Sequence, residues 1–170
     1  MKRVCLDNNI LIWGVRSKAS KGQEDCINRA VSLFGELDEM GARIIIPTPV
    51  LAEFLTYSPV HRHAEITASL ERHFQLTPFD GYAATVAARL WRELAEKPRT
   101  WHDELHAEVP GITRARIKYD IQILATAMAR HTDILYTHDK GLTKLAKGRI
   151  DVRQLPSLPP KQEDLFKEQN

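Results

Sequence analysis

The chain has 170 residues, 43% apolar and 27% charged, with a formal net charge of +2. That is room for one domain with a proper hydrophobic core, and the balance is that of an ordinary globular protein. Bulk charge this small does not argue for a polyanion partner, so a nucleic acid would have to be met by a local basic patch. The two cysteines, Cys5 and Cys26, belong to no CxxC or Cys/His cluster, which argues against a structural zinc site and suits a reducing compartment. Only a short apolar run precedes Asp7, and no run is long enough to cross a bilayer. The expected location is the cytoplasm.

The elements follow in order. Val4 to Leu6 is a short apolar strand ending in Asp7. Ile10, Leu11, Ile12 and Trp13 mark a helix with Gly14 near its end, and Ser17 to Gly22 is a polar loop. Ile27, Ala30, Val31, Phe34 and Leu37 repeat at helical spacing until Gly41 stops them. Arg43-Ile44-Ile45-Ile46-Pro47 is a β-branched run, the mark of a strand buried on both faces. Thr48 is expected as an N-cap with Pro49 at the first helical position, leading into Val50, Leu51, Phe54 and Leu55. Tyr57-Ser58-Pro59 breaks this helix, and His61 to Phe74 reads as the next one.

Gln75 to Phe79 is a short strand and Gly81 to Ala95 an alanine-rich helix. Glu96 to Thr113, with Pro98, Pro110 and Gly111, reads as a loop holding one helical turn. Thr113 to His131 is a long helix, Asp133 to Thr137 a strand, Lys140 to Lys147 a short helix and Asp151 to Leu155 a last strand. Residues 1–155 form the expected domain, and residues 156–170 a Pro-rich charged tail. The βα repeat predicts an α/β fold: a three-layer α/β/α sandwich around a parallel sheet. Ligands of such folds sit at the carboxyl ends of the strands.

Four acids are placed to meet there. Asp7 and Asp139 follow strands, so both belong to the carboxyl edge. A helix turns about 100° per residue. In the long helix, Ile117, Ile121, Leu124 and Met128 mark a core stripe, and Asp120 lies roughly 70° from its centre. Glu53 sits at the border of the face marked by Val50 and Phe54. Alone, each acid also has a plainer reading, as a cap or a surface ion-pair partner. Jointly they predict a site, because converging carboxylates raise one another's pKa and call for a cation. Oxygen-seeking Mg²⁺ suits them, and two such ions can clamp the oxygens of a phosphodiester.

Around these acids, Arg114, Arg116 and Lys118 are candidate phosphate contacts, with Arg116 one turn from Asp120. A solvated helix face is the competing reading. His61, Arg62 and His63 read as a surface cluster, Trp101 and His102 as a loop anchor or a base-stacking pair, and Tyr119 and His138 as bystanders. No Walker-type or GxGxxG motif is present. A receiver-type domain lacks its acidic pair and strand-end lysine here.

Three segments resemble the PIN domain, a family of small metal-dependent nucleases. They are Val4-Cys5-Leu6-Asp7-Asn8-Asn9-Ile10-Leu11, Pro49-Val50-Leu51-Ala52-Glu53-Phe54-Leu55, and Asp120 to Ala127 followed by Ile134-Leu135-Tyr136-Thr137-His138-Asp139. The resemblance implies a Rossmann-like fold, Mg²⁺ or Mn²⁺, and hydrolysis of single-stranded RNA. Asp7, Glu53, Asp120 and Asp139 would bind the metal, with Asn9 and Thr137 as polar supports. It further implies a homodimer, with an antitoxin protein as partner if the chain is the toxin of a toxin–antitoxin pair. There are departures. Asn8 stands where relatives carry a small hydroxyl residue, and Gly141 where many carry another acid, which leaves a second metal site open. The alternative is a PIN-fold module that binds RNA or protein without catalysis.

Overall fold

A computed structural model describes residues 1–158. Five strands, β1 (Arg3–Leu6), β2 (Arg43–Pro47), β3 (Gln75–Thr77), β4 (Ile134–Tyr136) and β5 (Asp151–Arg153), form one sheet in the order β3-β2-β1-β4-β5, every pair parallel. Val4, Cys5, Leu6, Ile46 and Leu135 are fully buried, as a strand covered on both faces requires.

Between the strands run α1 (Asn8–Arg16), α2 (Asp25–Glu39), α3 (Thr48–Leu55), α4 (His63–Glu71), α5 (Gly81–Ala95), α6 (Arg99–Glu108), α7 (Arg114–Ala129) and α8 (Lys140–Ala146). Crossovers between parallel strands are right-handed. The β1-to-β2 and β2-to-β3 connections step one way along the sheet, so α1–α4 share one face. The β3-to-β4 and β4-to-β5 connections step back, so α5–α8 cover the other. The packing agrees: α1 lies on α2 and α3, while α7 lies on α5 and α8. The expected three-layer α/β/α fold is the one found.

Four local expectations need correction. The stretch from Glu96 to Thr113 is mostly helix. Pro98 caps α6 with extended backbone, and Leu105 is buried in a small separate cluster with Val109 and Ile112. The two prolines bracket this helix instead of breaking it. Thr48 is the first residue of α3 and Pro47 its cap; the Thr48 hydroxyl accepts from the Phe79 N–H (3.1 Å), tying α3 to the loop after β3. The helix expected from His61 begins as a 3₁₀ turn, Val60–Arg62, before α4. Finally, α7 has no single core stripe. Ile123, Ala125, Thr126 and Ala127 are buried beside Ile121 and Leu124, because the helix is wedged between α5 and the sheet. Of the expected tail, residues 159–170 lie outside the described residues.

Gly14 permits the close approach of α1 to α2. A Cβ there would stand 2.6 Å from Phe34 Cε2 and 2.7 Å from Cζ. Alanine favours a helix over glycine by about 1 kcal/mol, but overpacking costs about 1–3 kcal/mol. Gly14→Ala should therefore lower the urea midpoint of unfolding; an unchanged or raised midpoint would show that Phe34 yields freely.

Candidate active site

Strand order reverses between β1 and β4, so a crevice opens at their carboxyl ends. Asp7 and Asp139 flank it. Asp7 follows β1 directly and is the N-cap of α1, accepting from the Asn8 N–H at 2.7 Å. Asp139 follows β4 by two residues and is the N-cap of α8, its Oδ1 accepting from the Leu142 N–H at 2.9 Å. The capping role and the site role are therefore not exclusive: one oxygen of each acid holds a helix while the other is left for different work.

That second oxygen is engaged in both. Asp7 Oδ2 accepts from the Thr137 hydroxyl (2.6 Å) and the Asn9 carboxamide (3.3 Å). The same Thr137 oxygen accepts from the Asp139 N–H at 2.9 Å. Thr137 is fully buried and joins the ends of β1 and β4 through one hydroxyl. Asp139 Oδ2 pairs with Arg116, which α7 delivers to the crevice.

Asp120 comes from the same helix, one turn on. It is 5% exposed, yet its Oδ2 is buried without a partner. Burial and the charges of Asp139 and Asp7 push its carboxyl up to about 8, against some relief from Arg116. Asp7, 6% exposed, is pushed up to about 6 by burial, partly opposed by the Thr137 and Asn8 hydrogen bonds and assisted by Asp139 and Glu53. Glu53 on α3 is half-buried, and its charge acts on both. Asp139 and Glu53 thus lie close enough to Asp7 and Asp120 to raise both.

The remaining candidates divide. Asn9 and Thr137 support Asp7, as above. Arg116 joins the acids, whereas Arg114 and Lys118 lie over the Trp91 ring, 5.2 and 5.7 Å from its centroid, on another side of α7. Arg62 pairs with Glu65 at 3.3 Å and His63 bonds the Ser58 carbonyl, both away from the crevice. His138 accepts from the Leu155 N–H (3.0 Å) and meets Trp13 edge-on, a packing role.

Tyr119 is closer to the site than its sequence context suggests. Its hydroxyl donates to the Pro49 carbonyl, tying α7 to the first turn of α3, and burial together with the charges of Glu53, Asp7 and Asp120 raises its pKa. The signal available in the sequence was its position next to Asp120. Asn8 is 5% exposed with Oδ1 unpartnered, so its carboxamide occupies buried space beside Asp7. Gly141 matters by its smallness. A Cβ there would stand 3.1 Å from Asp139 Oδ1, 3.3 Å from Ile112 Cδ1 and 3.4 Å from Asp120 Oδ2.

No family model matches this chain, and no curated protein matches it. Solved structures do. A chain of VapBC2 from Rickettsia felis, bound to a DNA fragment from the promoter, is similar over 91% of this chain and 99% of its own, with a TM-score of 0.57 and 14% identity. A chain of DNA-bound VapBC from Salmonella typhimurium matches over 92% and 100%, with a TM-score of 0.58 and 16% identity. A chain of FitAcB from Neisseria gonorrhoeae matches over 88% and 95%, with a TM-score of 0.52 and 17% identity. At these identities the likeness establishes the fold. The three-layer α/β/α architecture expected from the sequence is the one this chain shares with those structures.

The buried acids set a sign for pH dependence. Free carboxyls titrate near 3.8, whereas Asp7 and Asp120 titrate near 6 and 8 when folded. Between those values the folded chain holds protons that the unfolded chain has released, so these groups lower stability as pH rises. In chelator, the stability gained by Asp120→Asn over wild type should be larger at pH 8 than at pH 4. Urea melts at the two pH values test this; a pH-independent difference would remove like-charge crowding as the cause.

Proposed function

We propose that this chain is a metal-dependent endoribonuclease that hydrolyses phosphodiester bonds of single-stranded RNA, and that it acts as the toxin of a toxin–antitoxin pair. The observation that carries the reading is Asp120, a buried carboxylate with an unpartnered oxygen facing three further acids at the switch point. A polar group left so is costly unless a ligand completes it. Hard carboxylate oxygens suit Mg²⁺ or Mn²⁺. Among the described residues no three such side chains stand ready to enclose an ion. Mg²⁺ takes one or two carboxylates directly and completes its shell with water and phosphate oxygens, so the others would act through water.

Asp7, Asp120 and Asp139 would hold the ion, with Glu53 as a ligand directly or through water. A bound ion would supply a lowered water pKa and neutralise charge on the phosphate. The chain's own residues do the rest. Asp7 and Asp120 would have to give up their protons to act as ligands, so binding would be coupled to pH. Thr137 and Asn9 fix the Asp7 carboxylate. Arg116 carries a guanidinium at the rim, where it can pass from Asp139 to a phosphate oxygen. Water oxygen bonds to phosphorus as the bond to the leaving ribose oxygen breaks, and a proton ends on that oxygen.

Gly141 bears on the alternative of a module without catalysis. The acid common in relatives is missing, but a side chain there would crowd Asp139 and Ile112 and touch Asp120. The glycine keeps those two carboxylates open. The toxin reading draws on the fold shared with VapBC chains, whose structures contain two-component complexes. Its partner would be a small antitoxin laying a basic side chain over the acids. No described helix is long and apolar enough to cross a membrane, and a cytoplasmic RNA substrate is consistent with that.

Purified protein should cut mixed single-stranded RNA with Mg²⁺ or Mn²⁺ and not with EDTA. Asp7→Asn and Asp120→Asn should each lower the rate by at least about 100-fold, the scale of losing electrostatic stabilisation at a reacting centre. The same substitutions should relieve growth arrest on expression in a bacterium. A well-folded Asp120→Asn variant that cuts at the wild-type rate would overturn the mechanism. A second readout is binding itself: Mg²⁺ should raise the melting temperature more at pH 8 than at pH 6, since protons compete for Asp7 and Asp120.

A further inference from the structure

A cleft of about 740 Å³ lies between α5 and α6 on one side and α8 and β5 on the other. Its volume is within the range of about 300–1,000 Å³ typical of ligand sites. It adjoins the acids, because His138 and Lys140, the two neighbours of Asp139, both line it. Five cationic side chains and three carboxylates form its walls, an excess of two positive charges. The cations are not equivalent. Lys144 is spent on Glu108 (2.8 Å) and Glu104 (3.2 Å), and Arg149 on Glu93 (2.8 Å). Lys97, Lys140 and Lys147 are exposed and make no ion pair among the described residues. Trp101 supplies an aromatic wall, held half-buried by α6 with the Lys144 ammonium 5.8 Å from its ring centroid.

We propose that this cleft is the track for the single-stranded RNA adjoining the cut, with a base stacked on Trp101 and phosphates at Lys97, Lys140 and Lys147. Stacking on aromatic rings together with cations along the backbone is how single strands are held without reading sequence. The chemistry also excludes a duplex, whose base faces are already stacked on each other. None of the four acids lines the cleft, but Lys140, next in sequence to Asp139, does, so a strand leaving the reacting phosphate would enter the cleft at that end. The proposal rests on the ribonuclease reading, and the experiment separates the two.

The test is anisotropy of a labelled mixed-sequence single-stranded RNA against Asp120→Asn protein with Mg²⁺, over a salt series. Each phosphate contact contributes about 0.7 to the slope of log affinity against log salt for single strands. Adding Lys97→Ala and Lys147→Ala should therefore lower that slope by about 1.4. These lysines are exposed and unpaired, so folding is spared, and Lys→Arg at both should restore the slope. Trp101→Leu should weaken binding at least about fivefold and Trp101→Phe much less, the pattern of stacking rather than support for α6. The duplex of the same RNA should bind more weakly. RNA that is bound and cut with no response to the lysine and Trp101 variants would overturn the cleft alone. An acidic peptide competing with RNA for the cleft as effectively as the single strand itself would overturn it in favour of a protein partner. Absence of both binding and cleavage by the metal-loaded wild type would overturn this track and the ribonuclease reading together.

Discussion

Like charges forced together at the ends of β1 and β4 are the constraint around which the rest of this fold is arranged. Asp7 and Asp120 are nearly excluded from water, and their carboxyls titrate near 6 and 8 in consequence. A folded chain keeps such a cluster only if packing elsewhere holds it in place. Here the holding is done by rigid elements. Asp7 and Asp139 each start a helix, Thr137 locks the two strand ends through one hydroxyl, and α7 is buried on almost every side beyond its first turns. The acids have little freedom to move apart.

Counter-ions are arranged around that cluster with some economy. Arg116 reaches Asp139 from the exposed first turns of α7, while the neighbouring cations Arg114 and Lys118 turn to Trp91. The helix thus carries three basic residues on alternate positions, of which one serves the acids and two serve a surface aromatic. Periodicity accounts for the split: residues two apart on a helix point to nearly opposite sides, and only those three or four apart share one.

The sheet, its parallel order and the placement of Asp7 and Asp139 at its carboxyl edge were legible because they depend on strong signals. Buried strands are continuous β-branched runs, and a residue directly after a strand belongs to the carboxyl edge whatever the rest of the chain does. What the sequence left obscure was governed by tertiary context. The segment from Pro98 to Pro110 looks broken, yet its prolines fall outside α6, and the small cluster of Leu105, Val109 and Ile112 stabilises a helix that is polar on its other sides. Thr48 has the composition of a cap, but its hydroxyl is taken by the Phe79 N–H on another connection. The unpartnered oxygen of Asp120 and the cleft beside Asp139 arise from three-dimensional packing, and no spacing rule announces either.

The anchoring of Leu155 decides how this protein can be handled. Its N–H is bound by His138, next to Asp139, and Arg29 holds the Leu155 and Pro156 carbonyls, so the chain leaves β5 on the same edge of the sheet as the acids. Met1, 81% exposed, precedes β1 at the opposite edge. An affinity handle, a fluorophore or a surface tether added ahead of β1 would leave the crevice facing solution. The same addition after Pro156 would start from the edge that holds the acids.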